Sequence, residues 1–199
     1  MKLNWAERWV VNNPSRVIQQ RFEIRWLKKW GLLHPGAKVL EIGCGRGIGA
    51  GLIHREFQPS LLQAMDLDMA MVRRAKEYMA RRVNPEVSFF VGDVSRLPYR
   101  DASLDAVFGF GVLHHIPDWF GAFSEVVRVL KPAGLYFMEE LYPGLYQNFL
   151  TKHFLLHPKE NRFKSEDLKK ALKQTNLSLL QAFELRRFWI LGISRKDCR

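Results

Sequence analysis

Four short apolar runs in the middle of the chain have the length and the boundaries of buried strands. They begin at Val39, Leu61, Val87 and Leu104, and glycine, proline or polar residues lie beside each of them. The stretches 49–57 and 69–82 between them are predicted as crossover helices. Strands that alternate with helices favour a parallel sheet wrapped on both faces. We therefore expect one α/β domain, for which 199 residues suffice.

The first predicted strand runs directly into a turn that is rich in glycine. Its sequence reads Val39-Leu40-Glu41-Ile42-Gly43-Cys44-Gly45-Arg46-Gly47-Ile48-Gly49-Ala50-Gly51. Glycines at this density let the backbone turn sharply and let a ligand approach main-chain N–H groups with no Cβ in the way. We therefore expect a cofactor to lie across the turn.

Asp66 follows the second predicted strand, about 20 residues beyond the glycines, where a carboxylate can accept both hydroxyls of a ribose. The chain thus predicts a cofactor that contains a nucleoside. The dinucleotide fingerprint G-x-G-x-x-G fails from Gly43 but survives in its Ala-ending form, Gly45-x-Gly47-x-x-Ala50. An NAD(P)-dependent oxidoreductase is therefore one interpretation.

A different glycine pattern, Glu41-x-Gly43-x-Gly45-x-Gly47, resembles motif I of the class I S-adenosylmethionine-dependent methyltransferases. Further motifs follow in the order found in one branch of that family, the small-molecule and quinone-biosynthesis enzymes with a methyltransferase type 11 domain. They are Leu97-Pro98, Asp101-x-Ser103-x-Asp105, Leu113-His114-His115 and Arg128-Val129-Leu130-Lys131-Pro132-x-Gly134. The resemblance covers residues 36 to 140.

Ala133 departs from this pattern, because the family usually has a second glycine there. We expect the departure to cost little, since Pro132 still ends the helix and Gly134 still supplies a permissive turn.

The resemblance implies a doubly wound, Rossmann-like sheet of seven strands whose last strand is antiparallel. Residues 177–185 and 188–194 are the candidates for the final two strands. It also implies S-adenosylmethionine as the cofactor, with Asp93 accepting the adenine amino group and Val94 offering its backbone N–H to the ring. The full set of residues expected to bind the cofactor is Glu41, Gly43, Gly45, Arg46, Gly47, Asp66, Leu67, Asp93, Val94 and Phe110.

Methyl transfer from a sulfonium is an in-line displacement, so alignment and the exclusion of water can supply most of the catalysis. A general base is needed only if the acceptor must lose a proton. The candidates are His114 and His115 after the fourth strand, Glu139 and Glu140 at the end of the fifth, and Tyr142 beyond it. Because side chains alternate along a strand, we expect at most one of the two glutamates to face the cleft. Its carboxylate would there accept a hydrogen bond from an amine or be held by Arg46.

Two regions outside the motifs are expected to select the acceptor. Residues 1–35 are predicted to form an amphipathic helical cap, with Ser15 as the N-cap of a helix over residues 16–32. Its stripe of Ile18, Phe22, Trp26 and Trp30 is expected to pack on the sheet or to cover the cofactor site. The alternative role for this basic, aromatic helix is contact with an anionic membrane.

The second region is the stretch 141–163, which is predicted to be a substrate lid inserted into the domain of residues 36–199. Its aromatic and histidine residues are Tyr142, Tyr146, Phe149, His153, Phe154, His157 and Phe163. Such a lid suits an apolar or flat acceptor, and about half of these aromatics are expected to pack inward. The spacing of His153 and His157 is that of a metal pair, but without an acidic or thiol ligand in a known spacing we expect no metal.

The net charge of +11 and the pI near 9.9 favour anionic surfaces, which means nucleic acid or anionic lipid. Nucleic acid is disfavoured, because Gly109-Phe110-Gly111-Val112 stands where enzymes that methylate base amino groups carry an Asn/Asp/Ser-Pro-Pro-aromatic tetrad. The two cysteines, Cys44 and Cys198, are also not placed to act as the nucleophile of a cytosine-C5 enzyme.

We therefore expect a small-molecule or lipid acceptor. The paucity of cysteine and the lack of a signal-peptide pattern after Lys2 predict a cytoplasmic protein, peripheral at the inner face of the membrane. No pattern in the chain predicts an oligomeric state. A cofactor-binding module that docks on membrane or RNA without chemistry of its own is the remaining alternative.

Overall fold

Within residues 14–81, 87–146, 162–185 and 187–198, which a computed structural model describes, seven strands form one sheet. The strands are β1 (Lys38–Ile42), β2 (Leu61–Asp66), β3 (Val87–Val91), β4 (Leu104–Phe110), β5 (Leu130–Leu141), β6 (Leu177–Leu185) and β7 (Trp189–Lys196). Their order is β3-β2-β1-β4-β5-β7-β6. The pairs from β3 to β5 are parallel, whereas β7 is antiparallel to both β5 and β6. The predicted sheet with its antiparallel last strand is confirmed.

Helices cover both faces of this sheet. They are α1 (Pro14–Trp30), α2 (Ile48–Phe57), α3 (Met69–Ala80), α4 (Trp119–Val129), α5 (Pro143–Tyr146) and α6 (Ser165–Gln174). The first three enclose one apolar core, in which Phe108 and Phe137 stack at 4.2 Å and Phe57 meets both edge-on. Helices α4 and α6 enclose a second core on the other face. No helix in the described part of the chain is both long enough and apolar enough to cross a bilayer.

The aromatic stripe of α1 packs inward only at Trp26, which contacts the core beside β1. Ile18 and Phe22 are 58% and 67% exposed, and Trp30 is 43% exposed. The buried side of α1 carries Ile24 and Leu27 instead, which belong to the same core as β1. Residues four apart on a helix drift around its axis, since each residue turns by about 100°. The stripe therefore meets the core at Trp26 and leaves its other three members largely in solvent.

Three motif residues, Asp105, Arg128 and Lys131, hold the fold together rather than line a site. The guanidinium of Arg128 donates to the carbonyls of Leu97 and Tyr99, at 3.0 and 2.8 Å, and pairs with Glu125 at 2.7 Å. On the neighbouring strand Asp105 accepts from Lys131 Nζ at 2.7 Å and from the backbone of Lys38 at 2.8 Å. These contacts lock β1, β4 and β5 together at their amino ends.

The turn before the main part of β5 differs from the expectation at Ala133. Ala133 itself has φ +63°, in the left-handed region, whereas Gly134 is not among the glycines of positive φ. A Cβ on Gly134 would lie 2.8 Å from the carbonyl oxygen of Lys131, so this glycine serves close packing. The permissive position of the turn is therefore occupied by alanine.

Candidate functional site

The glycine turn after β1 uses its glycines for different purposes. Gly43, Gly45 and Gly47 have φ values of +64°, +52° and +81°, which only glycine adopts without strain. An ideal Cβ on Gly45 has no atom within 4 Å, so this position faces open space, and a Cβ on Gly43 would strike Val112. A Cβ on Gly47 would lie 3.0 Å from Ala75, which places Gly47 against α3 and outside the cavity wall. Only the first two line the cavity that we describe below.

Glu41 lies beneath the turn and does not line the cavity, in contrast to its expected contact with the cofactor. Its carboxylate is buried against the first turn of α2, where it accepts a hydrogen bond from the backbone of Ala50. A Cβ on Gly49 would overlap this carboxylate. Burial, with the charge of Asp66 nearby, raises the pKa of Glu41 to about 8. Glu41 therefore supports the turn from inside.

Asp66, at the carboxyl end of β2, ties the glycine turn to the loop that follows. Its Oδ2 accepts from the backbone N–H of Gly45 at 2.9 Å and its Oδ1 from that of Asp68 at 2.8 Å. Burial raises the pKa of this carboxyl. The backbone N–H of Leu67 also donates to this carboxylate, which offers about four acceptor sites, so Asp66 can still accept a hydroxyl of a ligand. The next residue, Leu67, is 48% exposed and also lines the cavity.

Asp93 and Val94 occupy the corresponding place after β3. Asp93 Oδ1 accepts from the backbone N–H of Ser95 at 2.8 Å, which begins a short 3₁₀ turn, and Val94 is buried. Both residues line the same cavity, of about 250 Å³, as the carboxyl ends of β1 and β2. Phe110 and Ile116 add apolar walls from the other side of the crossover point.

The residues of this cavity fit the nucleoside part of S-adenosylmethionine. The open space at Gly45 admits a ligand to the backbone, and the carboxylates of Asp66 and Asp93 supply acceptors for hydroxyl and amino groups. Sequence reasoning missed the rest of the lining, which is Met65, Met71, Gly92, Ser95, Gly111, Val112, Ile116 and Pro117. Apart from Met71, which lies on α3, their only signal was a position at or after a strand end.

A second cleft, of about 290 Å³, opens beside the first cavity. The two share Gly43, Gly45, Phe110, Gly111 and His115. The polar side chains of the cleft come from α1, the glycine turn and the ends of β4 and β5: Ser15, Arg16, Gln19, Gln20, Arg46, His114, His115 and Glu139. Arg46 Nε is buried and has no hydrogen-bond partner among the described residues. Its place in this wall is compatible with the predicted role beside a cofactor carboxylate.

Glu139 is held in the cleft by Arg16 and not by Arg46. The Arg16 guanidinium lies 2.7 Å from Oε2 of Glu139 and 3.3 Å from Oε1, and the indole N–H of Trp189 donates to Oε1 at 2.9 Å. Glu139 is 1% exposed. On α1, Arg16 also lies 3.5 Å from Glu23, and burial with the charge of Glu139 raises the pKa of Glu23 to about 7. Sequence reasoning missed Arg16 and Trp189, since an arginine on a basic helix carries no signal of a partner 123 residues away.

Glu140 points to the opposite face, as strand alternation predicts. Its Oε1 accepts from the backbone N–H of Leu113 at 2.9 Å, and its Oε2 lies 2.8 Å from Nδ1 of His114. Glu140 and His114 are both buried. The carboxylate thereby fixes the 3₁₀ turn Leu113–His115 and the orientation of the His114 ring. Gly111 lies between the Arg16–Glu139 pair and the Glu140–His114 pair, since a Cβ there would be 3.4 Å from both Glu139 Oε2 and His114 Cε1.

Tyr142, the remaining catalytic candidate, lies outside the cleft. Its side chain is buried on the other face of the sheet, where its hydroxyl donates to Glu184 at 3.0 Å and its ring meets Phe163. Burial raises the pKa of Tyr142. Tyr142 and Phe163, the two ends of the predicted lid, are thus core residues. The other aromatics and histidines predicted for the lid, including His153 and His157, lie outside the residues whose side chains are described, as do Trp5 and Trp9.

Among the described residues, no group of three acidic, histidine or cysteine side chains could hold a metal ion. Cys44 is buried in the glycine turn, and burial raises the pKa of its thiol.

Comparison with known proteins adds to this geometry. The family model described as "Methyltransferase domain" matches residues 40–138. The phthiotriol/phenolphthiotriol dimycocerosates methyltransferase of Mycobacterium tuberculosis is 35% identical over 109 residues, which are 55% of this chain and 39% of that protein. Sterol 24-C-methyltransferase ERG6B of Gibberella zeae is 34% identical over 118 residues, which are 58% of this chain and 31% of that protein. The chain thus covers less than two fifths of the length of either relative.

The fold is also that of solved structures. An S-adenosylmethionine-dependent methyltransferase from Aquifex aeolicus matches this chain with a TM-score of 0.74 at 16% identity. The match covers 98% of this chain and 99% of that one, so the whole described architecture is shared.

Proposed function

Because this chain belongs to the class I S-adenosylmethionine-dependent methyltransferases, we propose that it transfers a methyl group from that cofactor to a small apolar or membrane-associated acceptor. The observation that carries the proposal is the junction of the two cavities. Five residues line both, and at Gly45 and Gly111 no side chain narrows the junction. A molecule in the second cleft can therefore come directly against a cofactor in the first.

In this proposal the glycine turn and the strand ends hold the cofactor. Asp66 accepts the ribose hydroxyls, Asp93 accepts the adenine amino group, and the backbone at Gly43 and Gly45 passes beneath the methionine part. Bound S-adenosylmethionine supplies a methyl group on a sulfonium, which an external nucleophile can displace. The protein contributes alignment and a site shielded from water.

The side chains of the second cleft divide between proton transfer and positioning. His114, held through Nδ1 by Glu140, is the proposed proton acceptor at Nε2 when the nucleophile carries a proton. Glu139 is already paired with Arg16 and Trp189, so it is proposed to position the acceptor with them rather than to act as a base.

The proposed acceptor class rests on two observations. The relatives named above are methyltransferases of phthiotriol dimycocerosates and of sterols, which are apolar molecules. The exposed residues of α1 combine Phe22 with Arg21, Arg25 and Lys28, a composition that favours a peripheral position on anionic lipid. We propose that this contact occurs at the cytoplasmic face of the membrane.

Calorimetric titration with S-adenosylhomocysteine and with NAD tests the cofactor assignment. The proposal predicts binding of S-adenosylhomocysteine and none of NAD, and it predicts that Asp93→Ala weakens binding by at least tenfold. Asp101→Ala is the matched control, because Asp101 is an aspartate 80% exposed that pairs with Arg128 at the amino end of the strands. Binding of NAD in place of S-adenosylhomocysteine would restore the oxidoreductase interpretation.

Labelled methyl groups test the acceptor class. The protein is incubated with methyl-labelled S-adenosylmethionine and a whole bacterial extract, and the label is partitioned between organic and aqueous phases. Label in the organic phase supports an apolar acceptor. Label confined to the aqueous phase contradicts it, and no transfer from any extract despite cofactor binding would favour a non-catalytic module.

A further inference from the structure

An apolar groove of about 1110 Å³ runs along the outside of the molecule between α1 and the β6–β7 edge. We call it the tail groove and define it by Phe22, Trp26, Phe183, Leu185, Phe188 and Trp189. Phe22, Phe183 and Leu185 are 67%, 55% and 53% exposed. Apolar side chains that stay this exposed side by side mark a binding surface more often than scattered ones do.

The tail groove continues into the polar cleft. Gln19, Leu141 and Leu145 line both. The cleft in turn shares five residues with the cofactor cavity. The three cavities therefore form one path, which leads from the cofactor cavity through the polar cleft to the tail groove.

The chemistry changes along this path. The cleft presents Arg16, Glu139 and His114, whereas the walls of the tail groove are aromatic and aliphatic. The charged residues of the tail groove are Glu23, Arg25 and Lys29. The methylene groups of long basic side chains can cover an apolar ligand. A ligand that matches the whole path has a polar head and an apolar chain.

We infer that the methyl acceptor is an amphiphile whose nucleophilic polar head lies in the cleft and whose apolar chain lies in the tail groove. This inference rests on the proposed function and names its substrate class. The volume of the groove exceeds what a small polar metabolite would need, since pockets for drug-sized ligands range from about 300 to about 1000 Å³. Phe183 and its edge-on neighbour Trp189, 5.7 Å apart, form the wall nearest the sheet edge.

Binding of alkyl glucosides of increasing length, kept below their micelle concentrations, tests the inference on the full chain. Trp26 and Trp189 lie in the groove wall, so tryptophan fluorescence reports binding. Each added methylene is expected to tighten binding about threefold to fourfold, because burial of a methylene contributes about 0.8 kcal/mol. Affinity that does not depend on chain length would overturn the inference.

Substitutions test whether the alkyl chain of the glucoside lies in the tail groove. Phe183→Glu is expected to weaken binding of the longest glucoside at least tenfold, and Phe22→Glu provides a second variant from the opposite wall. Phe120→Glu is the control, since Phe120 is 41% exposed on α4 and does not line the groove. Equal loss in the control would overturn the assignment of the groove.

Two other occupants give different results. If the groove covers a second copy of the chain, Phe183→Glu converts a dimer to a monomer in sedimentation and the glucosides do not bind. If it docks on a bilayer, Phe183→Glu abolishes binding to phosphatidylglycerol vesicles and again no single glucoside binds. Either result overturns the inference. In both, titration with S-adenosylhomocysteine shows separately whether the proposed function stands, because Phe183 does not line the cofactor cavity.

Discussion

Ala133 adopts a left-handed backbone conformation, with φ +63°, that disfavours a residue with a Cβ. Replacement by glycine removes a strain of about 1–2 kcal/mol but adds unfolded-state entropy worth about 0.4–1 kcal/mol. We therefore expect Ala133→Gly to raise the free energy of unfolding by about 0.5–1 kcal/mol, measured by urea denaturation. Ala80→Gly, in the last turn of α3, should be destabilising instead. A loss of stability in Ala133→Gly would contradict this explanation.

Glu41 gives a prediction for the pH dependence of stability. In the unfolded chain this carboxyl ionises near its ordinary value of 4.5, whereas in the folded protein it keeps its proton to about pH 8. The folded state binds more protons between these values, so stability falls as the pH rises through this window. We expect Glu41→Gln to remove a slope of about 1 kcal/mol per pH unit between about pH 5 and about pH 8.

Urea denaturation at several pH values measures this slope for the wild type and the variant. Glu56→Gln, at an exposed ion pair with Arg55, is the control and should retain the slope of the wild type. Identical slopes for wild type and Glu41→Gln would show that the buried carboxyl does not titrate as described.

His114 gives a prediction for activity. If it accepts a proton from the nucleophile, His114→Gln should lower kcat by about 100-fold or more while the affinity for S-adenosylhomocysteine changes less than about twofold. Steady-state kinetics with the organic-phase acceptor, and calorimetry, supply the two measurements. An unchanged kcat would leave alignment alone as the catalytic contribution.

At the scale of elements, the Arg16–Glu139 pair joins α1 to the end of β5. Removal of the arginine leaves a carboxylate that is 1% exposed without its cation. Breaking a buried pair on one side costs about 3–5 kcal/mol, so Arg16→Ala should lower the free energy of unfolding by about 3 kcal/mol, since Arg16 itself is 19% exposed.

Two further variants examine this element contact. Arg16→Met combined with Glu139→Gln should recover most of the lost stability, because no unpaired charge then remains. Arg55→Ala, at a surface pair, should change stability by less than about 0.5 kcal/mol. A loss below about 1 kcal/mol in Arg16→Ala would mean that water reaches Glu139.

The central strands β1 and β4 could be predicted from sequence because they are buried on both faces and read as short apolar runs. The last two strands, of which β6 is largely exposed, were expected from the family resemblance. The face of α1 could not. Its buried side includes Glu23 beside Ile24 and Leu27, while Ile18, Phe22 and Trp30 of its most apolar line stay exposed, so hydrophobic spacing indicated the wrong side for most of the line.

The site followed the same division. Residues at the ends of the first three strands, such as Gly45, Asp66 and Asp93, line one cavity, and their contact with the cofactor stays a prediction. Tyr142 was misplaced because the alternation of β5 was not carried one step further: it has the parity of Glu140, so its side chain lies on the face opposite the cleft.

At the scale of the whole molecule, the net charge of +11 should govern its association with surfaces. We expect affinity for phosphatidylglycerol vesicles to fall at least tenfold between about 50 and about 200 mM NaCl, because screening shortens the range of surface charges. Reversing the charges of Arg21 and Arg25 on α1 should weaken binding more than reversing those of Arg73 and Arg74, which are also exposed but lie on α3. Vesicle sedimentation measures both, and equal effects would contradict a membrane role for α1.

The two consecutive glutamates at the end of β5 must lie on opposite faces of the sheet, which constrains the number of residues in this strand. Glu139 serves the cleft and Glu140 serves the turn that carries His114. A deletion of one residue before Glu139 in β5 would put Glu140 on the cleft side and Glu139 in the place of Met138 in the apolar core, whereas a deletion of two would keep the sides. The strand can therefore vary in composition, but its length can change only in even steps.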